Sequence, residues 1–180
     1  MDRRKLYTTA CYPGTFDPIT LGHLDIVERA SRVFEKVVIL VADPLHKKCL
    51  FDIDERLNMV RESIAHLPNV SVDILRGQLL MDYCKAKEIG VVIRGMRAVS
   101  DFEYEFKMAW MNRRLFPEIE LIFLLPSEEY TYISSTLVKE IVVLGGDVSQ
   151  MVPSPVLKYI YLIKERLAKS GIGDEKEHSL

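Results

Sequence analysis

Only three cysteines occur in the 180 residues, Cys11, Cys49 and Cys84, and no two form a C-x-x-C pair. An odd number at wide spacing excludes a disulfide framework or a thiolate zinc site as the basis of the fold. No apolar run approaches the roughly 20 residues that a membrane-crossing helix needs. The basic Arg3-Arg4-Lys5 leads into only a short apolar stretch, broken by Thr8 and Thr9. A secretory leader is therefore not expected, and the chain reads as soluble and cytoplasmic. An excess of one charge is also missing: 24 Lys and Arg stand against 26 Asp and Glu, a net −2. That balance argues against general nucleic-acid binding, so any anion site must come from local clustering. Repeats, low-complexity tracts and internal linkers are absent as well. The chain divides only into a single domain, 1–169, and a small, charged, aperiodic tail, 170–180, expected to be flexible.

What is present is the composition of a globular protein, 48% hydrophobic with a mean hydropathy of +0.06. Leu6 to Tyr12 reads as a first strand, and a helix starts near Gly22, with Leu24, Val27, Ala30 and Phe34 on one face. Val37 to Ala42 is apolar throughout, as a strand buried on both faces should be. Asp52 with Glu55 signals a helix start, and Ile53, Leu57, Val60, Ile64 and Leu67 supply its apolar face. Val70, Val72 and Ile74 alternate as a third strand, followed by a short helix from Leu79 to Glu88 closed by Gly90. Val91 to Ile93 is a fourth strand, Asp101 to Leu115 a long helix, and Leu121 to Leu125 a fifth strand. Ser134 or Ser135 can cap a helix that stops at Gly145-Gly146, and Pro153 and Pro155 introduce a last one to about Lys169. Strands alternating with helices predict a Rossmann-like α/β fold: a five-stranded parallel sheet with helices on both faces.

The stretch Tyr12-Pro13-Gly14-Thr15-Phe16-Asp17-Pro18-Ile19-Thr20-Leu21-Gly22-His23 joins the first strand to the first helix. It is neither G-x-x-x-x-G-K-[ST] nor G-x-G-x-x-G. Its glycines admit a ligand to the backbone, a helix start attracts anions, and a neutral imidazole adds one directed donor. Ligands of parallel sheets bind beyond the carboxyl ends of the strands. Pro13 to His23 follows the first strand, Lys47-Lys48 the second, Arg94 to Arg97 the fourth and Tyr130 to Thr136 the fifth. Four polar clusters therefore converge on one edge, as a single anion site requires. The gathered groups are donors and cations, with no carboxylate pair, nucleophile–base pair or metal-ligand cluster in these stretches. Such a set suits phosphoryl or nucleotidyl transfer, where positioning and electrostatics supply most of the rate.

Thr20-Leu21-Gly22-His23 resembles the (T/H)-x-G-H signature of the nucleotidyltransferase superfamily. In register from Leu6 to about Val152, the chain resembles the phosphopantetheine adenylyltransferases. The resemblance is carried by Tyr12 to Thr20, Gly22-His23, Lys47-Lys48, Ile93-Arg94-Gly95-Met96-Arg97-Ala98-Val99-Ser100-Asp101-Phe102-Glu103-Tyr104-Glu105, Met111-Asn112-Arg113 and Ile133-Ser134-Ser135-Thr136-Leu137-Val138-Lys139-Glu140. It departs at Thr136, where a third serine is usual, at Leu21, often polar, and at Cys49, where proline or glycine is common.

The resemblance implies transfer of the adenylyl group of ATP to 4'-phosphopantetheine, giving dephospho-coenzyme A and pyrophosphate with Mg2+. Thr15, Lys47, Leu80 and Arg94 would hold phosphopantetheine. Thr15, Phe16, His23, Gly95, Met96, Arg97 and Glu105 would hold ATP. So would the run Tyr130, Thr131, Tyr132, Ile133, Ser134, Ser135 and Thr136, and His23 would stabilise the transition state. A homohexamer and feedback by coenzyme A are also implied. The rival readings are another adenylyl- or cytidylyltransferase of the superfamily and a non-catalytic nucleotide-binding regulator. Outside these positions Lys48 stays open between a solvated and a functional role, whereas solvation or subunit contact is expected for Arg113 and Arg114, and packing for Asp101, Phe102, Tyr104 and Trp110. His46, His66 and His178 read as structural or solvated, Cys84 as core, and Cys49 as a loop residue whose place beside two lysines leaves reactivity open, with no functional role expected.

Overall fold

Val37, Ile39 and Val41 point to one face of the sheet and Val38 and Leu40 to the other, and both sets are packed. A strand that is apolar throughout thus finds hydrophobic partners on both sides, as the unbroken run predicts. The computed structural model describes residues 8–44, 48–97 and 99–169, without the side chains at 99–102, 104 and 105. In chain order these form β1 (Thr9–Gly14), α1 (Leu21–Val33), β2 (Lys36–Ala42), α2 (Ile53–Ser63), β3 (Val70–Leu75) and α3 (Leu80–Ala86). They continue as β4 (Val91–Gly95), α4 (Val99–Leu115), β5 (Glu120–Leu124), α5 (Ser135–Val143) and α6 (Leu157–Lys169). The five strands lie parallel in the order β3-β2-β1-β4-β5, with β1 at the centre. The order runs outward from β1 in both directions, so the gap beyond its carboxyl end is where a ligand can enter.

The larger core joins one face of the sheet to α1, α2, α5 and α6, through residues such as Ile26, Val60, Val138 and Ile160. The smaller core gathers Cys11, Leu40 and Val92 on the other face with Met81, Tyr83 and Cys84 of α3 and with Ile119. Cys84 is buried as expected, with its Sγ 3.6 Å from that of Cys11; both thiols are free. The hydrogen bond to Cys84, together with burial, holds the Cys11 thiol well above its usual pKa, hence protonated.

Two boundaries and the packing of Trp110 differ from the sequence reading for physical reasons. β1 runs through Pro13 to Gly14, although a proline in a central strand would remove a ladder donor. Its pairing with β4 covers only Ala10 and Cys11, so Pro13 lies beyond that ladder. α3 ends at Ala86, and the left-handed turn falls on Glu88 (φ 55°) rather than Gly90. That turn swings Ile89 back under the sheet, where it is buried and donates its N–H to the Cys84 carbonyl at 2.8 Å. Trp110, expected to pack, is 62% exposed and meets Phe106 edge to face. The side chains of Asp101, Phe102 and Tyr104 lie outside the described set. Elsewhere a start signal and a stop signal hold. Asp52 and Glu55 form the capping box of α2, and α5 stops through Gly145 (φ 80°), with Gly146 N–H on the Ile141 carbonyl at 2.8 Å.

Candidate active site

Thr20 is the N-cap of α1, and His23 occupies the position where a capping box usually has Glu or Gln. The Thr20 backbone N–H donates to His23 Nδ1 at 3.0 Å, and Thr20 Oγ1 lies 2.9 Å from the same nitrogen. An amide can only donate, so Nδ1 carries the lone pair and the neutral ring bears its proton on Nε2. Burial first, and the nearby Arg97 guanidinium second, lower the imidazole pKa from 6.5 to about 4. The ring is therefore neutral at physiological pH, held by its inner nitrogen and able to donate from its outer one.

Phe16 braces the imidazole edge to face, with centroids 5.2 Å apart, and meets Tyr12 in the same way at 5.6 Å. Phe16 takes a left-handed φ of 49°, which turns its ring back across β1. A Cβ at Gly14 would stand 2.9 Å from that ring, so a side chain there would displace it. Gly95 is constrained in the same way: its Cβ would fall 2.8 Å from Ile26 Cδ1 and 3.0 Å from the Tyr12 hydroxyl.

These groups line a cavity of about 460 Å³ over the carboxyl ends of the strands. Thr15, Phe16, His23, Arg94, Gly95 and Arg97 all line it, as do Leu80 and the run Ile133 to Thr136. Met96 lies just outside, its N–H donating to the Leu124 carbonyl of β5 at 3.0 Å. Tyr130, Thr131 and Tyr132 do not line the cavity. Tyr130 instead packs over the start of α1, its carbonyl 3.4 Å from where a Gly22 Cβ would be, and Tyr132 is exposed. Lys47 lies outside the described residues, as does the Glu105 side chain; Lys48 is exposed.

The serines at the head of α5 are partly committed. Ser134 caps the helix by accepting from Leu137 N–H at 3.0 Å, which leaves its own proton for another acceptor. Ser135 donates to the Pro18 carbonyl at 2.8 Å and so ties α5 to the loop after β1. A second, mostly apolar cavity of about 340 Å³ lies beside the first, against Met108, Met111, Asn112 and Leu115 of α4. Leu80 and Arg94 line both.

Two buried charged residues that the sequence reading passed over frame this site. Arg56 is 1% exposed and donates from Nη1 to the carbonyls of Thr15 (2.8 Å) and Ala42 (2.7 Å). Its Nε reaches the Phe51 carbonyl at 3.3 Å. Its position was readable in hindsight, since it falls three residues after Ile53 and four before Val60, on the inward stripe of α2. Asp17, 2% exposed, accepts from Leu50 and Phe51 N–H and from Lys139 Nζ. His66, read as structural or solvated, lies at the surface 2.9 Å from Glu28. His46 and His178 lie outside the described residues.

Residues 11–141 match the cytidylyltransferase-like family model. A phosphopantetheine adenylyltransferase from Janthinobacterium sp. (strain Marseille) is 51% identical over 163 residues, covering 91% of this chain and 99% of that protein. One from Methylococcus capsulatus is 55% identical over 148 residues, covering 82% and 91%. The chain belongs to the phosphopantetheine adenylyltransferase family. A third member, from Dictyoglomus turgidum, is 47% identical over 152 residues, covering 84% and 94%. A solved structure from Vibrio parahaemolyticus, described as a nicotinate-nucleotide adenylyltransferase, superposes with a TM-score of 0.62. It covers 95% of this chain and 98% of its own at 18% identity, a likeness of fold alone. Among the described residues, no helix is long and apolar enough to cross a membrane.

Proposed function

We propose that this chain transfers the adenylyl group of ATP to 4'-phosphopantetheine, forming dephospho-coenzyme A and pyrophosphate. The observation that carries the reading is the Thr20–His23 contact, which leaves a neutral imidazole with a donor in the wall of a cation-lined cavity. The phosphate of phosphopantetheine attacks the α-phosphorus of ATP; a P–O bond forms to it as the bond to the bridging oxygen of pyrophosphate breaks. A phosphate monoester is mostly ionised near pH 7, with a second pKa of about 6, so no general base is needed. His23 donates to oxygens of the α-phosphate as charge accumulates there. Thr15 and the amides at the head of α1 hold the phosphates close by.

Arg94 grips the phosphate of phosphopantetheine where the two cavities meet, while the uncharged amide-containing arm of that substrate extends past Leu80 into the second. Lys47 assists at the same phosphate. Phe16, Gly95, Arg97 and the segment from Ile133 to Thr136 serve ATP from the cavity wall, with Glu105, while Met96 and Tyr130 to Tyr132 act from beyond that wall. Mg2+ carried by the ATP phosphates would supply partial neutralisation of their charge. The enzyme works in the cytoplasm as a homo-oligomer, a hexamer by family resemblance, with coenzyme A as a feedback ligand. Pyrophosphate release on mixing the protein with magnesium ATP and phosphopantetheine tests the reading. Tight ATP binding without turnover would favour a nucleotide-binding regulator instead.

A further inference from the structure

A carboxylate in the wall of an anion site needs an explanation, because it repels the phosphates the site is built to hold. Asp17 lines the cavity and is almost completely buried. Its two oxygens accept from Leu50 N–H at 3.1 Å, and Oδ1 accepts from Phe51 N–H at 3.0 Å. Those bonds fasten the loop after β1 to the residues that lead into α2. Arg56 takes the opposite polarity of the same stretches, the carbonyls of Thr15 and Phe51. Asp17 is therefore retained for what it holds in place. Its charge remains, and the cation nearest to it is the Lys139 ammonium of α5, 2.7 Å from Oδ2.

We propose that Lys139 is present to cancel the charge of Asp17, so that the loop can be clamped by a carboxylate without repelling the polyphosphate of ATP. Both are positioning residues. The inference rests on the proposed function, and it separates clamp from charge. Asp17→Asn keeps a carbonyl oxygen that can accept from Leu50 and Phe51, and it removes the negative charge. Lys139→Met leaves the carboxylate buried and uncompensated, the costly half of a broken buried pair. The double variant has neither charge.

The test is a direct titration of ATP into the purified wild type and the three variants, with melting temperature recorded for each. Wild type should bind ATP; if it does not, the proposed function fails, whatever the variants do. Given binding, Lys139→Met should raise the ATP Kd at least tenfold, and Lys139→Arg should stay within about threefold because it keeps the cation. Asp17→Asn should bind ATP as well as wild type or better. The double variant should return to within about threefold of wild type, a recovery that only a shared charge interaction produces. A double variant as weak as Lys139→Met would overturn the inference and make Lys139 a direct ligand. If the double variant does not fold, the arginine and methionine variants still decide: equal affinities for ATP would overturn it as well.

Discussion

The backbone amide of Thr20 donates to Nδ1 of His23 at 3.0 Å, and this contact decides which nitrogen of the ring carries the proton. The same bond closes the N-terminal capping box of α1, so a folding signal and a chemical requirement use one pair of atoms. A Glu in that position would cap the helix equally well and would place a negative charge in an anion site.

His23→Ala should cut kcat by about 10²–10³, roughly 2.7–4 kcal/mol, the loss expected for one transition-state donor. Its ATP dissociation constant should change far less, because the contact strengthens only as charge develops. Steady-state kinetics beside a thermal melt separates this from a packing role. A stable variant with unchanged kcat would end the assignment.

The depressed pKa of His23 predicts a pH dependence of stability with a definite sign. The unfolded chain protonates this imidazole near 6.5, whereas the native state resists protonation down to about 4. Between those values the unfolded state binds more protons, so stability falls as pH drops through that window. Each unit of difference is worth up to about 1.4 kcal/mol. Urea unfolding of wild type and His23→Gln at pH 7 and pH 4.5 measures it. The wild type should lose more stability than the variant; equal losses would contradict a half-buried histidine held neutral.

Arg94→Ala removes a planar fork that can hold a phosphate at two points. The Michaelis constant for phosphopantetheine should rise tenfold or more, about 1.4 kcal/mol, while that for ATP moves much less. Equal losses for both would assign the arginine to the other half of the site.

Gly14→Ala places a methyl group 2.9 Å from the buried Phe16 ring, which is also the brace of His23. Overpacking of this kind costs about 1–3 kcal/mol. A melting temperature lower by several degrees, together with reduced kcat, is expected. Lower stability with unaltered kcat would show that Phe16 does not set the imidazole.

Much of the fold was legible because its signals are local. The unbroken apolar run of β2, the Asp52–Glu55 box and the glycine stop after α5 each depend on residues close in sequence. Convergence of the polar clusters followed from strand order alone. The turn at Glu88 was not legible, since it is imposed by burial of Ile89 on the far face of the sheet. Arg56 and Asp17 were missed for a related reason. Their partners are backbone groups at distant positions, and no pattern in a side-chain sequence marks a carbonyl that needs a donor. Trp110 was misread because helical spacing says which residues share a face and not whether anything covers it.

The central place of β1 also bears on how heat disables the protein. Binding loops are commonly the first parts of a protein to open, well below global unfolding. Here the loop that carries Thr15 and leads to His23 springs from the central strand, which is paired on both sides at Ala10 and Cys11. Arg56 and Asp17 stitch it to the chain around α2. Amide hydrogens of β1 should therefore exchange with solvent only through whole-molecule opening, later than those of β3 and β5 at the sheet margins. Activity should persist up to the melting transition and then disappear together with the fold.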